Sequence, residues 1–361
     1  MTNHQPPLTE QHLALGAKMA PFSGWAMPLE YTGVLKEHAA VRQAVGVFDV
    51  SHLGKLRVTG PGAAAYLNTR LANDLTRIAP GQAQYTLMCN QAGGVIDDLI
   101  AYLFTPDDVL LIPNAANTAA VAHQLADALP APINITNQHK DYVVLAIQGP
   151  RSPGVLEALN LPTNMAYMAF AEATFTGTAI TVCRTGYTGE MGYELVAPNA
   201  VAADLWAAIL AAGEPFGLVP CGLGARDTLR TEMGYPLHGQ DISPTINPVE
   251  ARLNWAIGWK KGEFDGASAI RAAKAGGPTR LLRGLKATGR GIPRPGMSVF
   301  VGDTPVGQVT SGTFSPTLRL GIALTLADAQ LPLGQTVSVE IRNRQEQFEV
   351  VNPPFVVSGV K

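Results

Sequence analysis

Short runs of apolar positions, broken by glycine and proline, run through the chain, and one stretch sets the pattern. The apolar run Tyr85-Thr86-Leu87-Met88-Cys89 meets a turn, Asn90 to Gly94, and a second apolar run starts at Val95. Gly93-Gly94 between two such runs is a strong hairpin signal. Two adjacent carboxylates, Asp97 and Asp98, interrupt the second run between Ile96 and Leu99. Neighbouring side chains on a strand point to opposite faces, so at least one of the pair is expected to point into the protein. An ionised carboxylate away from water is costly unless paired or hydrogen-bonded, which makes one of the two a candidate for chemistry. The other reading is an edge strand with both carboxylates solvated or capped by amides.

The same patterning organises the rest of the chain. Residues 8–19 read as a short helix and turn, and residues 22–29 as a packed aromatic loop. Residues 34–44 carry a helical pattern that Gly46 is able to stop. Residues 47–54 read as a strand running into a turn, with His52 as its polar outlier; a lone histidine beside an apolar strand reads as structural. Residues 55–60 alternate like a strand. The following Gly60-Pro61-Gly62-Ala63-Ala64-Ala65 superficially matches a dinucleotide fingerprint. Pro61 in the crossing, and no acidic residue closing a second strand at a convincing distance, favour a plain turn before an alanine-rich helix at 63–71.

Strands are expected at 109–112, ending in Pro113-Asn114-Ala115-Ala116-Asn117, and at 133–136, 142–148 and 180–184, with helices at 119–129 and 202–212. Between Thr185 and Leu195, three glycines in seven residues (186, 189 and 192) let backbone approach a ligand closely. Tyr187 and Glu194 supply a stacking face and an anionic acceptor there; an ordinary glycine-rich connection is the plainer alternative. Gly222-Leu223-Gly224-Ala225-Arg226-Asp227 reads as a loop entering a helix. Amides at such an end favour anions, and Arg226 is able to grip a carboxylate, while Asp227 also suits a first-turn charge. Residues 236–259 are loop-like. Past the linker at 275–278, short strands at 281–286, 297–301, 306–310, 320–326, 337–341 and 348–351 argue for a small antiparallel barrel.

Composition narrows the class. With 361 residues, 47% of them hydrophobic, the chain has material for two or three domains and a sizeable core. A net charge of -2 gives no bulk attraction to nucleic acid or to anionic membrane. The N-terminal residues lack the pattern of a signal peptide, and no apolar run approaches the ~18 residues of a membrane span. Cys89, Cys183 and Cys221 are far apart and odd in number, so neither a metal site nor a disulfide framework is expected. Buried free thiols in a reducing cytoplasm fit best.

Seven motifs together resemble one family over nearly the whole chain, the T-proteins of the glycine cleavage system, which are tetrahydrofolate-dependent aminomethyltransferases. They are Phe22-Ser23-Gly24-Trp25-Ala26-Met27-Pro28, Phe48-Asp49-Val50-Ser51-His52, Tyr85-Thr86-Leu87-Met88-Cys89-Asn90, Gly93-Gly94-Val95-Ile96-Asp97-Asp98, Arg184-Thr185-Gly186-Tyr187-Thr188-Gly189-Glu190, Gly222-Leu223-Gly224-Ala225-Arg226-Asp227 and Thr310-Ser311-Gly312-Thr313-Phe314-Ser315-Pro316-Thr317-Leu318. The resemblance implies an α+β fold with three domains in a cloverleaf around a central folate channel, the last a C-terminal antiparallel β-barrel. It implies a discontinuous first domain (1–52 and 140–275), a second domain (53–139) and the barrel (276–361). It implies Asp98 as the essential carboxylate, and Tyr85, Asp98, Tyr187, Glu194, Arg226 and Tyr235 as folate-contacting positions. It further implies tetrahydrofolate as co-substrate and a lipoylated H-protein as partner. Leu53 stands where many relatives have methionine, and Val356-Val357 lacks the arginine that often follows Phe355, so a C-terminal contact to the folate tail is not implied. Folate-dependent demethylases of the same fold are the nearest alternative. Non-catalytic folate-binding relatives typically carry a Lys-Gly-Cys-Tyr-Thr-Gly segment, whereas this chain has Arg184-Thr185-Gly186-Tyr187-Thr188-Gly189.

Overall fold

Strand pairing divides the chain more sharply than its helices do. The computed structural model describes residues 3–360. Among these, the strands form a two-stranded hairpin, a six-stranded sheet, a five-stranded sheet and a closed six-stranded barrel. The six-stranded sheet runs in the order Phe170–Phe175, Thr178–Cys183, Gly192–Pro198, Tyr142–Gln148, Val45–Asp49 and Leu218–Pro220. One face packs Val45, Val47, Leu145, Ile147 and Leu195 under the helices Ser152–Ala158 and Ala202–Gly213. Each large apolar side chain so buried contributes roughly 1.5–3 kcal/mol.

The excursion between Val45–Asp49 and Tyr142–Gln148 builds the five-stranded sheet, in the order Gln82–Cys89, Val95–Thr105, Asp108–Ile112, Leu56–Thr59 and Asn134–Asn137. Helices Ala63–Arg70 and Thr118–Ala126 cover its outer face through Leu67 and Val121. The two sheets meet face to face, Phe48, Val144 and Ala146 of one against Ala83, Tyr102 and Leu110 of the other. Where the excursion leaves and returns, the buried Lys55 ammonium donates to the carbonyls of Ser51 (2.7 Å) and His139 (3.0 Å). The His139 ring donates in turn to the His52 carbonyl at 2.8 Å. Gly62, at a φ of 83°, sits in the turn that opens helix Ala63–Arg70, as expected of the discounted fingerprint.

The hairpin of Gln82–Cys89 and Val95–Thr105 pairs Leu87 with Asp98 and Met88 with Asp97. Its turn needs glycine twice. Gly93 has a φ of 83°, and a Cβ on Gly94 would collide with the Pro244 carbonyl. That contact brings residues 242–270 over the hairpin, where Ile242, Ile246 and Ile270 share a core with Leu87, Cys89 and Val95.

The last strands, Arg280–Ala287, Ser298–Val301, Thr304–Ser315, Leu320–Asp328, Thr336–Ile341 and Arg344–Val351, close the barrel. It is locked to helix Leu223–Met233 by two buried charges. Arg230 donates to Asp241 (2.9 Å) and to the Ser311 hydroxyl (2.9 Å). Glu232 accepts from Ser315 and from the Thr317 amide, and pairs with Arg42 at 2.8 Å. Beyond the barrel the chain returns to the six-stranded sheet, with the Gly359 amide donating to Gly189 and Arg184 to the Val360 carbonyl. No described helix is long and apolar enough to cross a membrane.

Two local expectations change. Residues 22–29 are not a loop: Trp25–Glu30 pairs with Lys18–Phe22, and Pro28 is tolerated because the ribbon has only two strands. Glu194 lies on the strand Gly192–Pro198, not in a glycine-rich loop. Helix Ser152–Ala158 and strand Phe170–Phe175 are further elements that the sequence pattern did not single out.

Candidate active site

The inner faces of the two sheets, helix Leu223–Met233 and the segment after it enclose a cavity of about 250 Å³. Tyr85, Asp98, Glu194 and Arg226, from four separate elements, and Tyr187 and Tyr235, from two connecting segments, all line it.

The adjacent aspartates part company as the strand pleat requires. Asp97 is fully buried and absent from the cavity wall, while Asp98 opens onto it. Tyr85 donates its hydroxyl to Asp98 at 3.0 Å. Asp97 accepts from the Asn114 amide (3.0 Å) and the Asn117 side chain (2.7 Å). One nitrogen still reaches both acids, because Asn114 Nδ2 lies 2.8 Å from Asp97 Oδ1 and 2.8 Å from Asp98 Oδ1. Asn117 continues the chain of bonds to His238 Nδ1 at 2.9 Å, and His238 Nε2 meets the Val95 carbonyl at 3.0 Å. Burial lifts both carboxyls above the ordinary range, and at Asp97 the neighbouring charge of Asp98 lifts it further. Two acids joined this closely titrate as a pair. A carboxyl raised toward neutrality is suited to take and return a proton.

Aromatic rings form the walls. Tyr85 stacks on Trp255 at 5.0 Å between centroids, and Tyr187 lies 5.6 Å from Tyr235. Trp255 is 62% exposed, so the first pair reaches the rim. Arg226 packs its guanidinium 4.7 Å from the centre of the Tyr187 ring, and its Nη1 is buried with no hydrogen-bond partner. Glu194 accepts from Thr185 Oγ1 at 2.5 Å, and Thr185 Oγ1 lies 3.1 Å from the Tyr102 hydroxyl. Burial pulls the Arg226 pKa down while the Glu194 charge opposes it. The cavity therefore offers flat apolar faces, acceptors at Asp98 and Glu194, and one unspent cationic donor. That set fits a flat heteroaromatic ring rich in hydrogen-bonding edges.

The anion reading of the Gly222 segment is corrected. The helix N-terminus is already filled from inside: the Gly222 amide donates to Glu37 Oε2 at 2.8 Å. Asp227 faces Arg230 in a 2.7 Å ion pair. Asn114, Asn117, His238 and Trp255 were not anticipated. Asn114 and Asn117 read as turn residues after a strand, and their contacts to the aspartates appear only once the sheet is assembled.

Comparison with known proteins identifies the family. Residues 8–261 match the GCVT N-terminal domain, and residues 280–356 match the glycine cleavage T-protein C-terminal barrel domain. The chain belongs to the glycine cleavage T-protein family. It is 60% identical to an aminomethyltransferase of Frankia alni, with 98% of this chain and 97% of that protein aligned. It is 57% identical to an aminomethyltransferase of Mycobacterium tuberculosis, over 97% and 96% of the two chains. The crystal structure of glycine cleavage system aminomethyltransferase T from Bartonella henselae superposes with a TM-score of 0.92 at 35% identity, covering 98% of each chain. These full-length matches fix the α+β architecture with its terminal barrel as the family's own.

Proposed function

We infer that this chain is an aminomethyltransferase of glycine cleavage. It takes the methylene of an aminomethyl group held as S–CH2–NH2 on the dihydrolipoyl arm of the H-protein and passes it to tetrahydrofolate, releasing ammonia. Family membership along the whole chain supports the reaction class. The observation that carries the site is Asp98 on the cavity wall, held by Tyr85 and Asn114 between two aromatic pairs.

The reaction balances as S–CH2–NH2 plus two N–H groups giving N–CH2–N, NH3 and S–H. The folate supplies the two nitrogens that receive the methylene. Tyr85, Tyr187, Tyr235, Glu194 and Arg226 would hold it, the rings by stacking and the charged groups by directional bonds. Asp98 is placed to accept a proton and hand one to the departing ammonia, and its negative charge stabilises cationic character at the methylene carbon. The apolar walls exclude water from an adduct that water would hydrolyse. All three cysteines are free and buried, which supports a reducing, cytoplasmic setting.

Ammonia release measured with an aminomethyl-loaded, lipoylated carrier tests the reading. It should rise steeply when tetrahydrofolate is added; a chain that turned over a methylated amine while leaving this adduct untouched would be a demethylase. Calorimetric titration should also show binding of reduced folate and none of a nicotinamide or flavin dinucleotide.

Arg226→Ala should weaken folate binding by roughly ten- to a hundredfold, the loss of one charge-assisted bond of about 1.5–3 kcal/mol. The melting temperature should stay near the parent value, because Nη1 has no partner to lose. Unfolding with unchanged residual affinity would instead make Arg226 structural.

A further inference from the structure

His52 lies on the cavity wall and is 3% exposed, with its ring edge-on to Phe22 at 5.3 Å. Its Nδ1 is fully enclosed and has no hydrogen-bond partner. The Nε2 edge is therefore the part of the ring that opens on the cavity. A neutral imidazole carries one proton, and the enclosure decides which nitrogen holds it. A buried donor without a partner is rarer and costlier than a buried acceptor without one. The favoured tautomer leaves Nδ1 as the bare acceptor and sends the Nε2 proton into the cavity. Burial, reinforced by Arg226, holds the imidazolium down to about 3, so the ring stays neutral across the working range.

Nothing in the folate-side chemistry of Asp98 uses this donor. The neighbouring wall residues Leu53 and Ile112 are apolar, and Arg226 is the cation closest in influence. The charge of Asp49 opposes that of Arg226 at this ring, so the preference comes from the donor itself: a neutral N–H disfavours an ammonium and favours a developing anion. In the transfer the anion that develops is sulfur. As the carrier's C–S bond breaks, its electron pair passes to sulfur, the methylene remains bonded to nitrogen, and a proton released from nitrogen completes the thiol. Resting on the aminomethyltransferase reading, we propose that His52 is a catalytic residue that donates a hydrogen bond from Nε2 to the departing dihydrolipoyl sulfur.

The test compares donors at one position, using the full chain, an aminomethyl-loaded carrier and tetrahydrofolate. Ammonia and free thiol are followed together. His52→Phe keeps an aromatic ring but removes the donor. It should lower kcat by about 10²–10³, the range for loss of one preorganised donor, with folate affinity unchanged. His52→Gln restores an N–H at nearly the same reach and should recover at least about tenfold of that loss. If the phenylalanine does not fold, His52→Gln against His52→Met makes the same comparison between nearly isosteric side chains with and without the donor. A wild-type chain that releases no ammonia overturns the functional reading itself. An active wild type with the donor-less variant within about threefold of it, or with Gln no better than Met, overturns the role of His52 alone.

Discussion

Asp98→Asn should cut folate-dependent aminomethyl transfer by about 10²–10⁴, the usual cost of a lost acid–base group. The substitution keeps the size of the side chain and leaves one oxygen to accept from Asn114, while the new amide nitrogen faces the Tyr85 hydroxyl, which can turn to accept from it. It removes the charge and the exchangeable proton. The side chain opens on the cavity, so stability should change little. Asp97→Asn is the control on the opposite face. Its carboxylate accepts N–H donors from Asn114 and Asn117 in a fully buried site, and an amide placed there sets N–H against N–H. The melting temperature should fall, with turnover reduced far less than in Asp98→Asn. Transfer rates and thermal melts for both variants decide the matter. Parental turnover in Asp98→Asn would falsify the assignment, and a severe loss confined to activity in Asp97→Asn would move the role to its neighbour.

The largest stability effect is expected at Glu232. Its carboxylate is buried and bound by Arg42 through Nε (3.1 Å) and Nη2 (2.8 Å), by the Thr317 hydroxyl (2.9 Å) and by Ser315, with His38 at 3.3 Å. Those partners come from helix Val34–Gln43, the end of the barrel strand Thr304–Ser315 and the turn beyond it. Glu232→Ala takes from Arg42 its fully buried carboxylate partner and leaves it Glu190 and the carbonyls of Thr188 and Leu229. Breaking a buried pair in this way costs about 3–5 kcal/mol, which calorimetry at neutral pH would register as a loss of several degrees. A loss below about 1 kcal/mol would show that the network is decorative. Burial alone would raise this carboxyl, but the bonds from His38 and Ser315 and the charge of Arg42 outweigh it and bring it down to about 2. A group depressed on folding stabilises the native state above its unfolded value near 4.5. That contribution should fade as pH falls toward about 2, so the variant and the parent should converge in acid.

How far the sequence exposed this architecture depends on the range of the signal. The barrel and the hairpin were legible because alternation and glycine–proline turns are local. Trp25–Glu30 was hidden by Pro28, which reads as a breaker unless the strand is known to be at an edge. Strand Phe170–Phe175 mixes alanine, glutamate and threonine, and its weak alternation gains meaning only beside Thr178–Cys183. At the site, the family resemblance led to six residues that the fold brings around one cavity. Asn114 and His238 had no such cue: their roles are set by partners 16 to 143 residues away. His52 shows the reverse, since a lone polar residue beside an apolar strand gives the same pattern whether its far side meets packed side chains or a cavity.

The crossing of Val45–Asp49 with Tyr142–Gln148 has a kinetic side. Gly46 and Gln148 pair directly across about a hundred intervening residues, and closing so long a flexible loop costs roughly 4 kcal/mol. If the five-stranded sheet condenses first, it draws Ser51 and His139 to within reach of one ammonium, and the entropic penalty falls to that of its short flanks. Such long-range pairing slows folding and leaves sheet edges open while the chain waits. On that route the inserted sheet is what lets the central strands meet, whereas the terminal barrel has the shorter loop to close, its first strand pairing with its last at Gly284 and Val351.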